Sequence, residues 1–96
     1  MTEHTFILAK ITPKTECFDL AKAAIMNIIP TTLIEPGCLK FALHQDTKGN
    51  LFLYEEWLDD KALQNHHEMK YTQAVFEAYN DWLACPPEIT TLTKLG

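Results

Sequence analysis

The chain has 96 residues, 47% of them hydrophobic and 22% charged, with a formal net charge of -5 and a pI near 5.2. That length allows one core and one domain spanning residues 1–96, and the composition excludes a mainly disordered chain. The acidic balance opposes nucleic-acid binding, which needs clustered basic side chains to neutralise phosphates.

All eight basic residues are Lys. Without Arg there is no bidentate fork for phosphate or carboxylate, so the expected ligand is neutral or weakly charged. Cys17, Cys38 and Cys85 are odd in number, have no Cys-x-x-Cys spacing and follow no secretory signal, which fits a reducing cytoplasm. No apolar run approaches the ~20 residues that cross a bilayer, so no membrane partner is expected.

In chain order, residues 5–12 form an apolar run of strand-favouring types that stops at Pro13. Thr15 is placed to cap a helix whose apolar stripe is Phe18, Ala21, Ile25 and Ile28, and Pro30 should kink or end it. Residues 38–45 and 51–57 read as strands joined by the turn-rich segment 46–50, an antiparallel hairpin. Asp59 or Asp60 caps the next helix. From Met69 to Leu83, Tyr71, Val75, Ala78 and Trp82 recur at helical spacing, Pro86-Pro87 stops the helix, and residues 89–95 supply a last strand.

The order β-α-β-β-α-β predicts an α+β, ferredoxin-like sandwich in which one antiparallel sheet carries its helices on one face. Alternation puts Phe6 and Leu8 on one side of the first strand and Ile7, Ala9 and Ile11 on the other, and sets Leu51, Leu53 and Trp57 against Phe52 and Tyr54 on the third. Helices cover only one side, so the second apolar side is expected to be buried in a homodimer.

Several residues could carry chemistry. Glu35-Pro36-Gly37-Cys38 lies between the first helix and the second strand, where Pro and Gly ordinarily make a turn. Cys38 and Lys40 are expected on the same strand face, as is His44. His66 follows Ala62 by four residues and Leu63 by three and so shares their inward side, where an imidazole could move a proton at neutral pH. His67 diverges from it by about 100°, which disfavours joint metal ligation, and no metal site is expected. Glu55 and Trp57 share one sheet face, with Glu56 on the other. Some of the many aromatic residues are suited to line a flat apolar pocket.

Glu35-Pro36-Gly37-Cys38, then Phe52-Leu53-Tyr54-Glu55-Glu56-Trp57, then Ala62-Leu63-Gln64-Asn65-His66 together resemble the antibiotic biosynthesis monooxygenase family of small α+β proteins. The resemblance implies a dimeric α+β barrel, and a cofactor-free monooxygenase acting on a small quinol or anthrone-like substrate. It implies His66 as catalytic base with Glu55 beside it, and Phe41, Trp57, Tyr71 and Phe76 around the substrate. A second family histidine is missing, with Tyr71 or its neighbours in its place. Haem binding, seen in other relatives, is not expected, because no His lies between Tyr71 and Trp82 and Phe76 stands near the ligand's place. Two further functions are compatible with the same residues: an isomerase or other proton-transfer enzyme on a small carbonyl compound, and a non-catalytic dimer that binds an apolar metabolite or protein partner.

Overall fold

A computed structural model describes residues 3–96. Four strands, β1 (Thr5–Ile11), β2 (Cys38–Gln45), β3 (Leu51–Trp57) and β4 (Glu88–Leu92), form one antiparallel sheet in the order β2-β3-β1-β4. Three helices, α1 (Phe18–Leu33), α2 (Asp60–Glu68) and α3 (Lys70–Trp82), complete the ferredoxin-like α+β fold. β4 is therefore displaced from the expected 89–95, because its pairing with β1 begins at Glu88 opposite Lys10 and ends at Leu92 opposite Phe6.

The alternation on β1 and β3 decides where the core lies. Ile7, Ala9, Ile11, Leu51, Leu53 and Trp57 are all buried, and most share one cluster with Ala21 and Ile25 of α1 and Val75 and Tyr79 of α3. Phe6, Leu8, Phe52 and Tyr54 alternate with them and are only partly covered. The helices thus occupy one face of the sheet.

Two helix ends differ from the sequence reading. Thr15 makes no capping bond; residues Thr15–Cys17 form a 3₁₀ turn, and α1 starts at Phe18. Pro13 bridges Leu83 and the Lys14 N–H donates to the Trp82 carbonyl at 2.8 Å, so the chain leaves β1 already tied to the end of α3. Pro30 does not end α1, which runs on to Leu33. A proline there removes one i→i−4 bond but leaves later ones available, and the Thr32 hydroxyl donates to the Ile28 carbonyl at 2.7 Å in the last turn.

The expected stripe on α3 is turned by one position: Thr72, Val75 and Tyr79 are the buried residues, while Tyr71, Ala78 and Trp82 lie at its margin. Strand β2 also departs from simple alternation. Its register with β3 slips between Cys38, opposite Trp57, and Lys40, opposite Glu56. The extra residue at this bulge puts Cys38 and Phe41 on the helix face, and Lys40 on the opposite one from Cys38, correcting the expected parity.

The bulge follows a turn that is held closely against α2. Gly37 has φ 85°, and a Cβ built there would come within 2.6 Å of the Ala62 Cβ. Both the backbone and the space demand glycine. Gly37→Ala is expected to cost about 2–4 kcal/mol, combining a left-handed backbone with overpacking; a denaturant midpoint unchanged from wild type would refute it.

Candidate functional site

Helix α2 builds the site by presenting two faces. Its start is fixed by Asp59, whose Oδ1 accepts the Ala62 N–H at 2.8 Å. From that start, Ala62 and His66, four residues apart, face inward and are buried, while Leu63 and His67, the next such pair, turn toward a cavity between sheet and helices.

On the first face lies a buried polar cluster. His66 is 3% exposed, and its Nδ1 lies 2.9 Å from Oε2 of Glu35, itself 8% exposed. The Tyr71 hydroxyl donates to that same Glu35 oxygen, and Thr72 Oγ1 is 3.5 Å from His66 Nδ1. The His66 ring stands 4.8 Å from the Trp57 ring and 5.3 Å from the Phe41 ring. Burial, together with the bond to Glu35, pushes the Tyr71 phenol up to about 12, so it remains a donor. Cys38 is pushed up to about 11 by burial and by the nearby Glu35 and Glu55 carboxyls, which keeps it a thiol rather than a nucleophilic thiolate.

Trp57 links this cluster to the cavity. Its Nε1 donates to Glu55 Oε1 at 2.9 Å, and Glu55 belongs to the cavity wall. Glu55 is 7% exposed, and burial raises its carboxyl to about 7; the Trp57 N–H opposes that rise and the Glu35 charge adds to it. The carboxyl therefore exchanges its proton near neutral pH.

The cavity holds about 240 Å³. Its walls are otherwise apolar, including Ile7, Ala9, Leu53, Leu63, Phe76 and Ile89, and its polar groups are Glu55, His67 and the Tyr79 phenol. Burial, reinforced by the adjacent His66, lowers the His67 pKa and favours the neutral imidazole. Phe76 stands edge-on to His67, with ring centroids 5.6 Å apart.

Of the residues singled out in the sequence, Glu55 and Phe76 reach the cavity, whereas His66, Phe41, Trp57 and Tyr71 form the packed cluster beside it. Glu35 and His67, read in the sequence as part of a turn and as diverging from His66, are the site residues that reading leaves without a role. Glu35 was concealed by the sufficiency of Pro36-Gly37 as a turn, and its partner lies 31 residues away. For His67 the signal was present: it stands four residues after Leu63, which faces the same cavity.

A model of the antibiotic biosynthesis monooxygenase family matches residues 5–78. Among solved structures, Rv0793 from Mycobacterium tuberculosis superposes with a TM-score of 0.92 at 22% identity, covering 98% of this chain and 97% of that one. PA3566 from Pseudomonas aeruginosa gives 0.91 at 23% identity, covering 100% and 98%. A conserved protein from Methanosarcina mazei Go1 gives 0.87 at 24% identity, covering 96% and 93%. These likenesses establish the fold. Among curated proteins, no sequence matches the chain significantly.

Proposed function

The chain belongs to the antibiotic biosynthesis monooxygenase family, and on that premise we propose that it oxygenates a small quinol or anthrone-like substrate with molecular oxygen and no bound cofactor. The observation that carries this reading is Glu55, the one carboxyl on the wall of an otherwise apolar cavity, with a proton affinity matched to neutral pH. In this reading Glu55, rather than His66, is the catalytic base.

The Glu55 carboxylate takes the proton of a quinol hydroxyl or of the acidic CH₂ of an anthrone. The resulting anion is electron-rich enough to pass one electron to oxygen, and the two radicals join as a peroxide anion on a ring carbon that still bears a hydrogen. The O–O bond then breaks as the carbon's hydrogen shifts to the departing oxygen, hydroxide leaves, and the oxidised product remains: in an anthrone the CH₂ becomes C=O, and in a quinol a ring C–H becomes C–OH as the ring becomes a quinone. The substrate supplies all four electrons; one oxygen atom enters the product and the other leaves as water. Protonated Glu55 returns its proton to the departing hydroxide. The apolar walls hold the ring and exclude bulk water from the anion.

His66 is a positioning residue in this account. Glu35 and Tyr71 fix it, its ring backs the Trp57 indole, and Trp57 orients Glu55. The open sheet face of Phe6, Leu8, Phe52 and Tyr54 supports assembly as a homodimer, and the free thiols of Cys17, Cys38 and Cys85 support action in the cytoplasm. Among the described residues, no helix is long and apolar enough to cross a membrane.

Glu55 and His67 both reach the cavity, which favours, as a second reading, proton transfer on a small carbonyl compound. Oxygen consumption separates the two. With a panel of hydroquinones and anthrones, the purified protein should consume one oxygen molecule per product and place one labelled oxygen atom in it. Uptake no faster than the protein-free rate across the panel would overturn the oxygenase reading, and anaerobic isomerisation of a carbonyl substrate would establish the second.

A further inference from the structure

Phe76 borders more than the cavity beside Glu55. A second, more open cleft of about 390 Å³ lies against it, and the two share Phe76, Tyr79 and Pro87 as common walls. The outer cleft runs between α3 and the segment 83–87, where Asn80, Ala84, Cys85 and Pro86 complete its lining. Phe76, 44% exposed, stands at the border, its ring 5.6 Å from His67 on the inner side and 6.0 Å from Tyr79.

We infer that the substrate is an uncharged hydroxyaromatic bearing an apolar substituent, its ring seated in the inner cavity at Glu55 and its substituent passing Phe76 into the cleft between α3 and residues 83–87.

Size argues for the division. An apolar cavity of about 150 Å³ accepts a benzene, so the inner 240 Å³ is filled by a fused ring system and leaves little for a chain. Inner cavity and cleft together reach the about 300–1,000 Å³ usual for larger ligands. Charge argues for the class. No Lys lines either compartment, and the outer cleft contains no carboxylate or histidine. A carboxylate or phosphate on the ring would be buried beside Glu55 with no Lys to pair it and with His67 favoured in its neutral form, which is costly. An aliphatic chain in the outer cleft would cover Leu83, Ala84 and Pro86, and an uncharged polar tip could bond Asn80.

The inference rests on the site reading above, but binding measured without oxygen tests it separately. The probes are 1,4-dihydroxynaphthalene, its 2-hexyl derivative and its 2-carboxylate, titrated anaerobically by calorimetry. In wild type the hexyl compound should bind about tenfold or more tightly than the bare ring, the gain from burying two or more methylenes. The carboxylate should bind at least tenfold more weakly than the bare ring. Ala84→Trp and Asn80→Trp each fill the outer cleft from a different side. Either folded variant should erase the hexyl gain and leave the bare ring within about twofold of wild type, the carboxylate penalty being unchanged. Equal affinity for ring and hexyl compound in wild type, a hexyl gain that survives both variants, or a carboxylate bound as well as the bare ring would overturn the inference. A hexyl gain without oxygen consumption would refute the oxygenase reading alone, whereas oxygen consumption with no hexyl gain would refute this inference alone.

Discussion

Glu55→Gln is expected to lower kcat/KM for oxygen uptake by about 10²–10⁴-fold while leaving the protein folded. The amide keeps an oxygen where Trp57 Nε1 donates at 2.9 Å, so the wall of the cavity is retained, but it cannot take a proton. The same substitution should raise stability at neutral pH, and the sign follows from linkage. Folding raises the Glu55 pKa from 4.5 to about 7. Below about pH 4.5 both folded and unfolded chains hold the proton, and its contribution is fully favourable. As pH rises toward 7 the unfolded chain ionises first, so the wild type loses stability through that window. The displacement is worth on the order of 3 kcal/mol, and Glu55→Gln should lack that loss. Denaturation at about pH 4 and about pH 8 measures it: equal pH dependence in wild type and variant would show that Glu55 ionises normally when folded.

His66→Ala should act mainly on folding, with a cost of about 3–5 kcal/mol, because it removes a packed ring and leaves a buried carboxyl short of one hydrogen-bond partner. Glu35 would keep Tyr71 but lose the partner at 2.9 Å, and Trp57 and Phe41 would lose the ring packed between them. His66→Asn, which keeps an N–H near the Nδ1 position, should recover a substantial part of that loss. In a double-mutant cycle, Glu35→Gln and His66→Ala together should cost less than the sum of the two single changes. Turnover by the folded fraction of His66→Ala should remain within about tenfold of wild type if His66 only positions Trp57 and Glu55. A variant of wild-type stability with no turnover would make His66 the base instead.

Much of the architecture was legible because it depends on local period and on turn chemistry. Alternation along β1 and β3 sorted each strand's residues into two faces, though not which of them the helices cover, and the Phe18, Ala21, Ile25 and Ile28 stripe defined the inner side of α1. The hairpin between β2 and β3 was marked by residues 46–50, and Asp46 does hold that turn, accepting from the Lys48 and Asn50 N–H groups at 2.8 and 2.9 Å. What escaped were events that local patterns do not encode. The bulge near Cys38 is an interruption of register and inverts the parity of every later β2 residue relative to Cys38. The Glu35–His66 pair joins a turn to a helix, and neither segment alone requires a buried polar contact. The sequence identified which histidine on α2 faces inward, but inward proved to be the packed cluster, and the cavity opened on the neighbouring face with Leu63 and His67.

The central claim is that a carboxyl buried at the cavity wall takes the substrate's proton. Its most direct test is the pH dependence of kcat/KM for oxygen uptake between about pH 5 and pH 9, measured on wild type and Glu55→Gln with the same quinol. The account predicts a wild-type rate that rises with pH through a step near 7, where Glu55 ionises, and a variant in which that step is absent. A wild-type profile without the step, or the same step persisting in Glu55→Gln, would contradict it.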